Sequence, residues 1–92
     1  MFQVIWSNTA IQDLRAIRKF IAIDSEHYSK IFAERIVKSV KRLEIFPESG
    51  RISIEFSYLG FREILIIPYK VIYHFDDNIV KILSIVHCKC DI

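Results

Sequence analysis

Apolar residues along this chain change their period twice, and the changes mark its elements. Residues 2–6 are a short apolar run of β-forming side chains, which predicts a first strand. Ser7 follows as a good helix N-cap. Beyond it Ala10, Leu14, Ile17 and Ile21 recur at helical spacing, so a helix is expected to run to about Ile23. Asp24-Ser25 is the polar, cap-competent pair before the next periodic stretch, and it predicts a tight helical hairpin. In the second helix Tyr28, Phe32, Ile36, Val40 and Leu43 form the buried stripe. Lys30, Arg35, Lys38, Lys41 and Arg42 form a basic flank. Pro47-Glu48-Ser49-Gly50 should end it as a turn.

After Gly50 the period becomes two, or the run becomes continuously apolar. Residues 51–54 predict a weak strand, and residues 62–67, 69–75 and 79–86 predict three strong ones. Pro68 should interrupt the chain between two of them, and Asp76-Asp77-Asn78 should close the last hairpin. Strands segregated from a helix pair indicate an α+β fold in two layers. The expected architecture is an N-terminal strand, then an antiparallel helical hairpin packed on a mainly antiparallel sheet, in the order β-α-α-β-β-β. Residues 1–92 form one domain.

A two-residue turn at Asp77-Asn78 would set the register of the last hairpin. His74 then pairs with Lys81, Ile72 with Leu83, and Lys70 with Ile85. Tyr69, Val71, Tyr73 and Phe75 point to the other face, with Val80, Ile82, Ser84 and Val86, and should meet the helices. The first face mixes Ile72, Leu83 and Ile85 with Lys70, His74, Lys81 and His87. Its aliphatic groups have no evident cover within the chain, so a second chain is expected to cover part of it.

Composition narrows the classes. Hydrophobic residues make up 52% of 92, with only two Gly and two Pro, which excludes disorder. No apolar run approaches the ~20 residues of a membrane span, and the N-terminus has no signal-peptide pattern, so a cytoplasmic protein with reduced cysteines is expected. Residues 7–46 carry eight basic side chains against five acidic ones, while the remainder carries five against six. The helical half is the basic half, although the net charge is only +2.

Candidate chemistry is sparse. His87-Cys88-Lys89-Cys90-Asp91 lacks the paired Cys-x-x-Cys spacing of a structural zinc site, so no metal is expected. There is no phosphate-binding glycine loop and no nucleophile–base–acid set, so no cofactor is expected. One enzyme class survives. A metal-free ribonuclease can use cations and titratable groups alone, and Arg62, Lys70, His74, Lys81, His87 and Lys89 could supply them. The simpler reading is that these are solvated positions on a sheet face.

Three stretches, taken together and in order, resemble the ParE/RelE toxin superfamily of bacterial type II toxin–antitoxin systems. The first runs from Trp6-Ser7 through Ala10, Asp13-Leu14, Ile17 and Phe20-Ile21-Ala22 to Asp24-Ser25. The second is Leu43-x-x-Phe46-Pro47-x-x-Gly50-Arg51. The third comprises Arg62-Glu63-Ile64-Leu65, Tyr69-Lys70-Val71-Ile72-Tyr73 and Val86-His87. The Arg-Glu pair, the Pro-x-x-Gly-Arg turn and the short tail after His87 are closer to the ParE branch. The resemblance implies a toxin of the plasmid-stabilisation type that inhibits DNA gyrase without catalysis of its own. It also implies a cognate antitoxin, ParD-like or another ribbon-helix-helix type, whose C-terminal segment wraps around the toxin in a hetero-oligomer. Leu14, Ile17, Ile72, Leu83 and Ile85 are the expected antitoxin-binding residues.

The RelE branch implies the alternative, a ribosome-dependent mRNA endonuclease. Arg62, Lys70, His87 and Lys89 would then be its catalytic candidates. Lys70 occupies a basic position there that is usually Arg, and no Tyr follows His87. The ParE branch commonly carries Arg near the position of Cys90, and its absence here leaves a third reading. That reading is a weakened, non-toxic relative that only binds antitoxin.

Overall fold

A computed structural model describes residues 1–88 of the chain. Strand β1 (Gln3–Trp6) leads into helices α1 (Asn8–Ala22) and α2 (Glu26–Lys41), followed by a 3-10 turn at Arg42–Glu44. Strands β2 (Arg51–Ile52), β3 (Arg62–Ile66), β4 (Tyr69–Asp76) and β5 (Ile79–His87) complete the chain, with a second 3-10 turn at Ser57–Leu59. The five strands form one sheet in the order β1-β5-β4-β3-β2. All neighbours are antiparallel except β1 and β5, which run parallel. No helix among the described residues is long and apolar enough to cross a membrane.

Both helix starts are set by the side chains expected to set them. Ser7 accepts a hydrogen bond from the Ala10 amide, and Ser25 accepts one from the Tyr28 amide. Each satisfies a donor that the first helical turn leaves without a partner. The helical stripes meet one face of the sheet. Ala10, Ile17, Phe32, Ile36, Val40 and Leu43 pack with Ile66, Val71, Tyr73, Val80, Ile82 and Ile85 in a single core. Ser29, fully buried between the helices, donates to the Arg18 carbonyl and so joins α1 to α2.

The β4–β5 turn has two residues, Asp77 and Asn78, both at positive φ (47° and 64°). That is the backbone of a tight hairpin turn whose twist matches the strands. His74 therefore faces Lys81 as expected. Further along, the expected register fails. Tyr73 pairs with Ile82 but Ile72 pairs with Ser84, so Leu83 is an extra residue in a β-bulge. Beyond the bulge every β5 side chain changes face. Ile85 lies opposite Val71 in the core, while Ser84 and Val86 lie on the face away from the helices.

The cause of the bulge is visible at the start of α1. The β1 ladder ends at Trp6–Ile82, so the far half of β5 loses its partner on that side. The Ser7 hydroxyl donates to the Leu83 carbonyl (2.9 Å), and the Asp13 carboxylate accepts from the Ile85 amide (2.9 Å). The N-cap and one side chain of α1 thus replace the missing strand and blunt an open sheet edge.

Strand β2 is shorter than the weak strand expected over residues 51–54. The Ser53 amide still donates to the Phe61 carbonyl, but residues 53–61 then leave the sheet edge and fold over the face away from the helices. Phe61 meets Phe56 and His74 there, at ring separations of 6.1 and 5.9 Å. Ile72 is consequently only 5% exposed. The expectation that a second chain covers Ile72 is overturned, because the chain covers it itself. Ile5, Leu65 and Val86 remain open on that face at 41%, 42% and 37%.

Candidate functional site

Strand pairing brings charged residues together on the face away from the helices. Arg51 lies opposite Glu63, Glu63 opposite Ile72, and Ile72 opposite Ser84. Leu65 lies opposite Lys70, and Lys70 opposite Val86. Directly opposed residues in a sheet share a face, so this is one row two residues deep. The covering segment adds Ile54, Glu55 and Phe56. Apart from Leu65, these groups line a cavity of about 460 Å³, which His87 also lines.

Glu63 is the centre of the arrangement. It is 2% exposed, although it is a carboxylate in an otherwise apolar strand. Its Oε2 accepts from Arg51 through Nε at 2.7 Å and lies 2.6 Å from Nη2. Its Oε1 lies 3.5 Å from the Lys70 ammonium and has no hydrogen-bond partner. Lys70 in turn donates to Glu55 of the covering segment. That hydrogen bond, with the charge of Glu63 behind it, raises the Lys70 pKa above its ordinary value against the opposing effect of burial. Lys70 is therefore a fixed ammonium ion at physiological pH, unable to take up a proton as a base.

Arg62 is on the other side of β3. It lies opposite Tyr73, a core residue, and its guanidinium sits 5.7 Å from the Phe75 ring. It donates to the carbonyls of Glu48 (3.3 Å) and Gly50 (2.8 Å). The Tyr73 hydroxyl donates to the Pro47 carbonyl (2.6 Å) and accepts from the Gly50 amide (2.9 Å). A Cβ at position 50 would stand 2.5 Å from that hydroxyl, so only glycine allows the approach. Burial raises the Tyr73 pKa and keeps the phenol neutral. Arg62 and Tyr73 thus hold the turn of residues 47–50.

Of the four candidate ribonuclease residues, the fold brings two to the cavity. Lys70 and His87 both line it, whereas Arg62 does not. Lys89 lies outside the described residues, as does the tail position of Cys90. His87 is exposed; its ring packs edge-on against Tyr69 at 5.3 Å and its Nδ1 donates to the Cys88 carbonyl (2.8 Å). Among the described residues no group of three or more His, Cys, Asp or Glu could hold a metal ion.

Of the expected antitoxin-binding residues, Ile17 and Ile85 are sealed in the core at 6% and 4% exposure, and Ile72 is sealed under residues 53–61. The bulge is the reason for Ile85, and the helix–sheet interface is the reason for Ile17. Leu14 and Leu83 remain partly exposed. The residues that sequence reasoning left without a role at this site are Arg51, Glu55 and Glu63. A signal was present for Glu63: an acidic residue inside an apolar strand must have a buried partner.

Comparison with known proteins agrees with this architecture. Residues 4–92 match the family model described as the ParE toxin of the type II toxin–antitoxin system parDE. The chain is 33% identical over 88 residues to a protein of Caulobacter vibrioides named toxin RelE2, covering 95% of this chain and 96% of the relative. It shares its fold with a structure described as a chromosomal ParDE toxin–antitoxin system from P. aeruginosa. That match has a TM-score of 0.81 at 22% identity and covers 97% of this chain and 98% of the other. With an extended sequence match and a shared fold over nearly its full length, the chain belongs to the ParE toxin family of type II toxin–antitoxin systems.

Proposed function

We propose that this toxin acts in the ParE manner, by binding DNA gyrase without performing chemistry of its own. The supporting observation is the state of its sheet-face cations. Arg51 is held by Glu63, Lys70 is held by Glu55 and Glu63, and Arg62 is spent on backbone carbonyls. An enzyme cleaving RNA needs cations aimed at the developing phosphorane charge and a group able to move a proton. Here these three cations already have carboxylate or carbonyl partners. Supercoiling by purified gyrase, assayed with increasing purified toxin, is the direct test. Unchanged supercoiling at a large molar excess of toxin would refute this reading.

A type II toxin has a cognate antitoxin as its partner. A ParD-like or other ribbon-helix-helix antitoxin is proposed, with its C-terminal segment meeting the part-exposed Leu14 and Leu83 in a cytoplasmic hetero-oligomer. Co-expression with such an antitoxin should yield a stable complex and restore growth.

The RelE reading is kept because Lys70 and His87 line one cavity, and because a relative bears that name. It predicts new 5′ ends in translated mRNA on induction, mapped by primer extension. Those ends should disappear when Lys70 and His87 are both replaced by Ala.

A further inference from the structure

A second set of cations sits elsewhere and is built differently. A cleft of about 380 Å³ lies between α2 and the β2–β3 edge; Arg42, Arg51, Ser39 and Ser49 line it, with Ile64 and Leu65 on the strand side. Arg35, Ser39 and Arg42 occupy one flank of the helical end, at steps of four and three residues. The Arg35 guanidinium is placed there by the Phe32 ring, 5.6 Å away. Lys38 and Lys41 are exposed on the same segment. Among the described residues, none of Arg35, Lys38, Lys41 and Arg42 forms an ion pair. Of the acidic residues nearby, Glu34 faces the α1 side beside Arg18 and Lys30, and Glu44 closes the 3-10 turn that Arg42 opens. Glu63 borders the cleft but is buried and already neutralised by Arg51, whose Nη1 lies outside that pair.

We propose that this cleft and flank dock the sugar–phosphate backbone of duplex DNA. The spacing fits: Arg35 and Arg42 are seven residues apart, about 10 Å along a helix axis at ~1.5 Å per residue. Successive phosphates of one strand advance ~3.4 Å along the duplex axis, so the row spans roughly three of them. The planar guanidinium fork and the hydroxyl groups are the usual phosphate ligands. Protein–protein interfaces are depleted in Lys and enriched in aromatic side chains, whereas this flank carries the exposed Lys38 and its cleft is lined by no aromatic residue. The choice of DNA over RNA rests on the gyrase reading, since gyrase works on duplex DNA. The contact itself requires no gyrase.

The test is fluorescence anisotropy of a labelled DNA duplex titrated with the intact toxin across a range of salt, with a duplex RNA and polyglutamate as competitors. Three phosphate contacts predict a slope of about −2.7 in log affinity against log salt, a loss of roughly forty-fold between 50 and 200 mM. Arg42→Ala should reduce the slope by about one and weaken binding about ten-fold at low salt, while Arg15→Ala on α1 should leave it unchanged. Lys38→Ala gives an independent arm, and thermal unfolding verifies that each variant is folded. Absence of binding at low salt would overturn the proposal. So would binding insensitive to Arg42 and Lys38, or stronger competition by RNA or polyglutamate than by DNA. Gyrase inhibition without DNA binding refutes the docking and spares the gyrase reading; DNA binding without gyrase inhibition does the reverse.

Discussion

Arg51 and Arg42 look out on the same cleft, yet they belong to different systems. Arg51 neutralises a carboxylate that is 2% exposed, so the sheet depends on it. Arg42 touches no carboxylate among the described residues, so folding gains little from it. The same contrast separates the two cationic regions as wholes. On the sheet face Lys70, Arg51 and, across β3, Arg62 are consumed by internal partners. On the α2 flank the cations point outward without them. Cations with internal partners hold a fold together, and cations without them are available to a ligand.

Stability measurements can break this comparison. The largest effect is expected for Arg51→Ala, which leaves the Glu63 carboxylate buried with only a 3.5 Å ion-pair contact to Lys70. A loss of about 3 kcal/mol is expected in urea unfolding, against under about 0.5 kcal/mol for Arg42→Ala. Equal losses at the two positions would erase the distinction. Next in size, Tyr73→Phe strips the turn of residues 47–50 of its hydroxyl, leaving the Gly50 amide buried without an acceptor. About 2 kcal/mol should be lost. Asp13→Ala frees the Ile85 amide at the bulge and should cost about 1 kcal/mol, with faster hydrogen exchange at Ile85 as its local signature.

The smallest effect is a response to pH. Both Lys70 and Tyr73 have folded-state pKa values raised above their ordinary values of 10.5 and 10.0. A raised folded pKa contributes stability that is complete below the unfolded value and is lost as pH rises through the folded one. Stability should therefore be flat through neutral pH and fall once pH passes about 10. Lys70→Met should weaken that fall, whereas Lys38→Met on the α2 flank should not; chemical denaturation along an alkaline pH series reads both.

The bulge and the covering segment show where local reasoning stops. Residues 79–86 were recognisable as a strand, and the Asp77-Asn78 turn correctly paired His74 with Lys81. One extra residue at Leu83 then moved Ile85 from the open face to the core. Nothing local to β5 specifies that residue as extra. It is specified by Ser7 and Asp13, seventy or more positions away, taking over backbone groups that β1 is too short to reach. The burial of Ile72 has a similar origin, since the polar and aromatic mixture of residues 53–61 gives no periodic signal of what it will cover. Lys70 and His87 could be named as candidates from their residue types, but not their partners. An ion pair such as Lys70–Glu55 joins segments whose relative position is set by the whole sheet.

The sequence by itself determined the helices, their serine caps, the hairpin turn, the α+β class and the family resemblance. These depend on periodicity, side-chain–backbone hydrogen bonds within a few residues, and ordered motifs. Tertiary structure alone decided which face each β5 residue occupies, which cations are neutralised and which are left free. The physical reason is that a side chain's exposure and charge partners depend on segments distant in sequence. The same residue type is a structural counter-ion at position 51 and, among the described residues, a cation without a carboxylate partner at position 42.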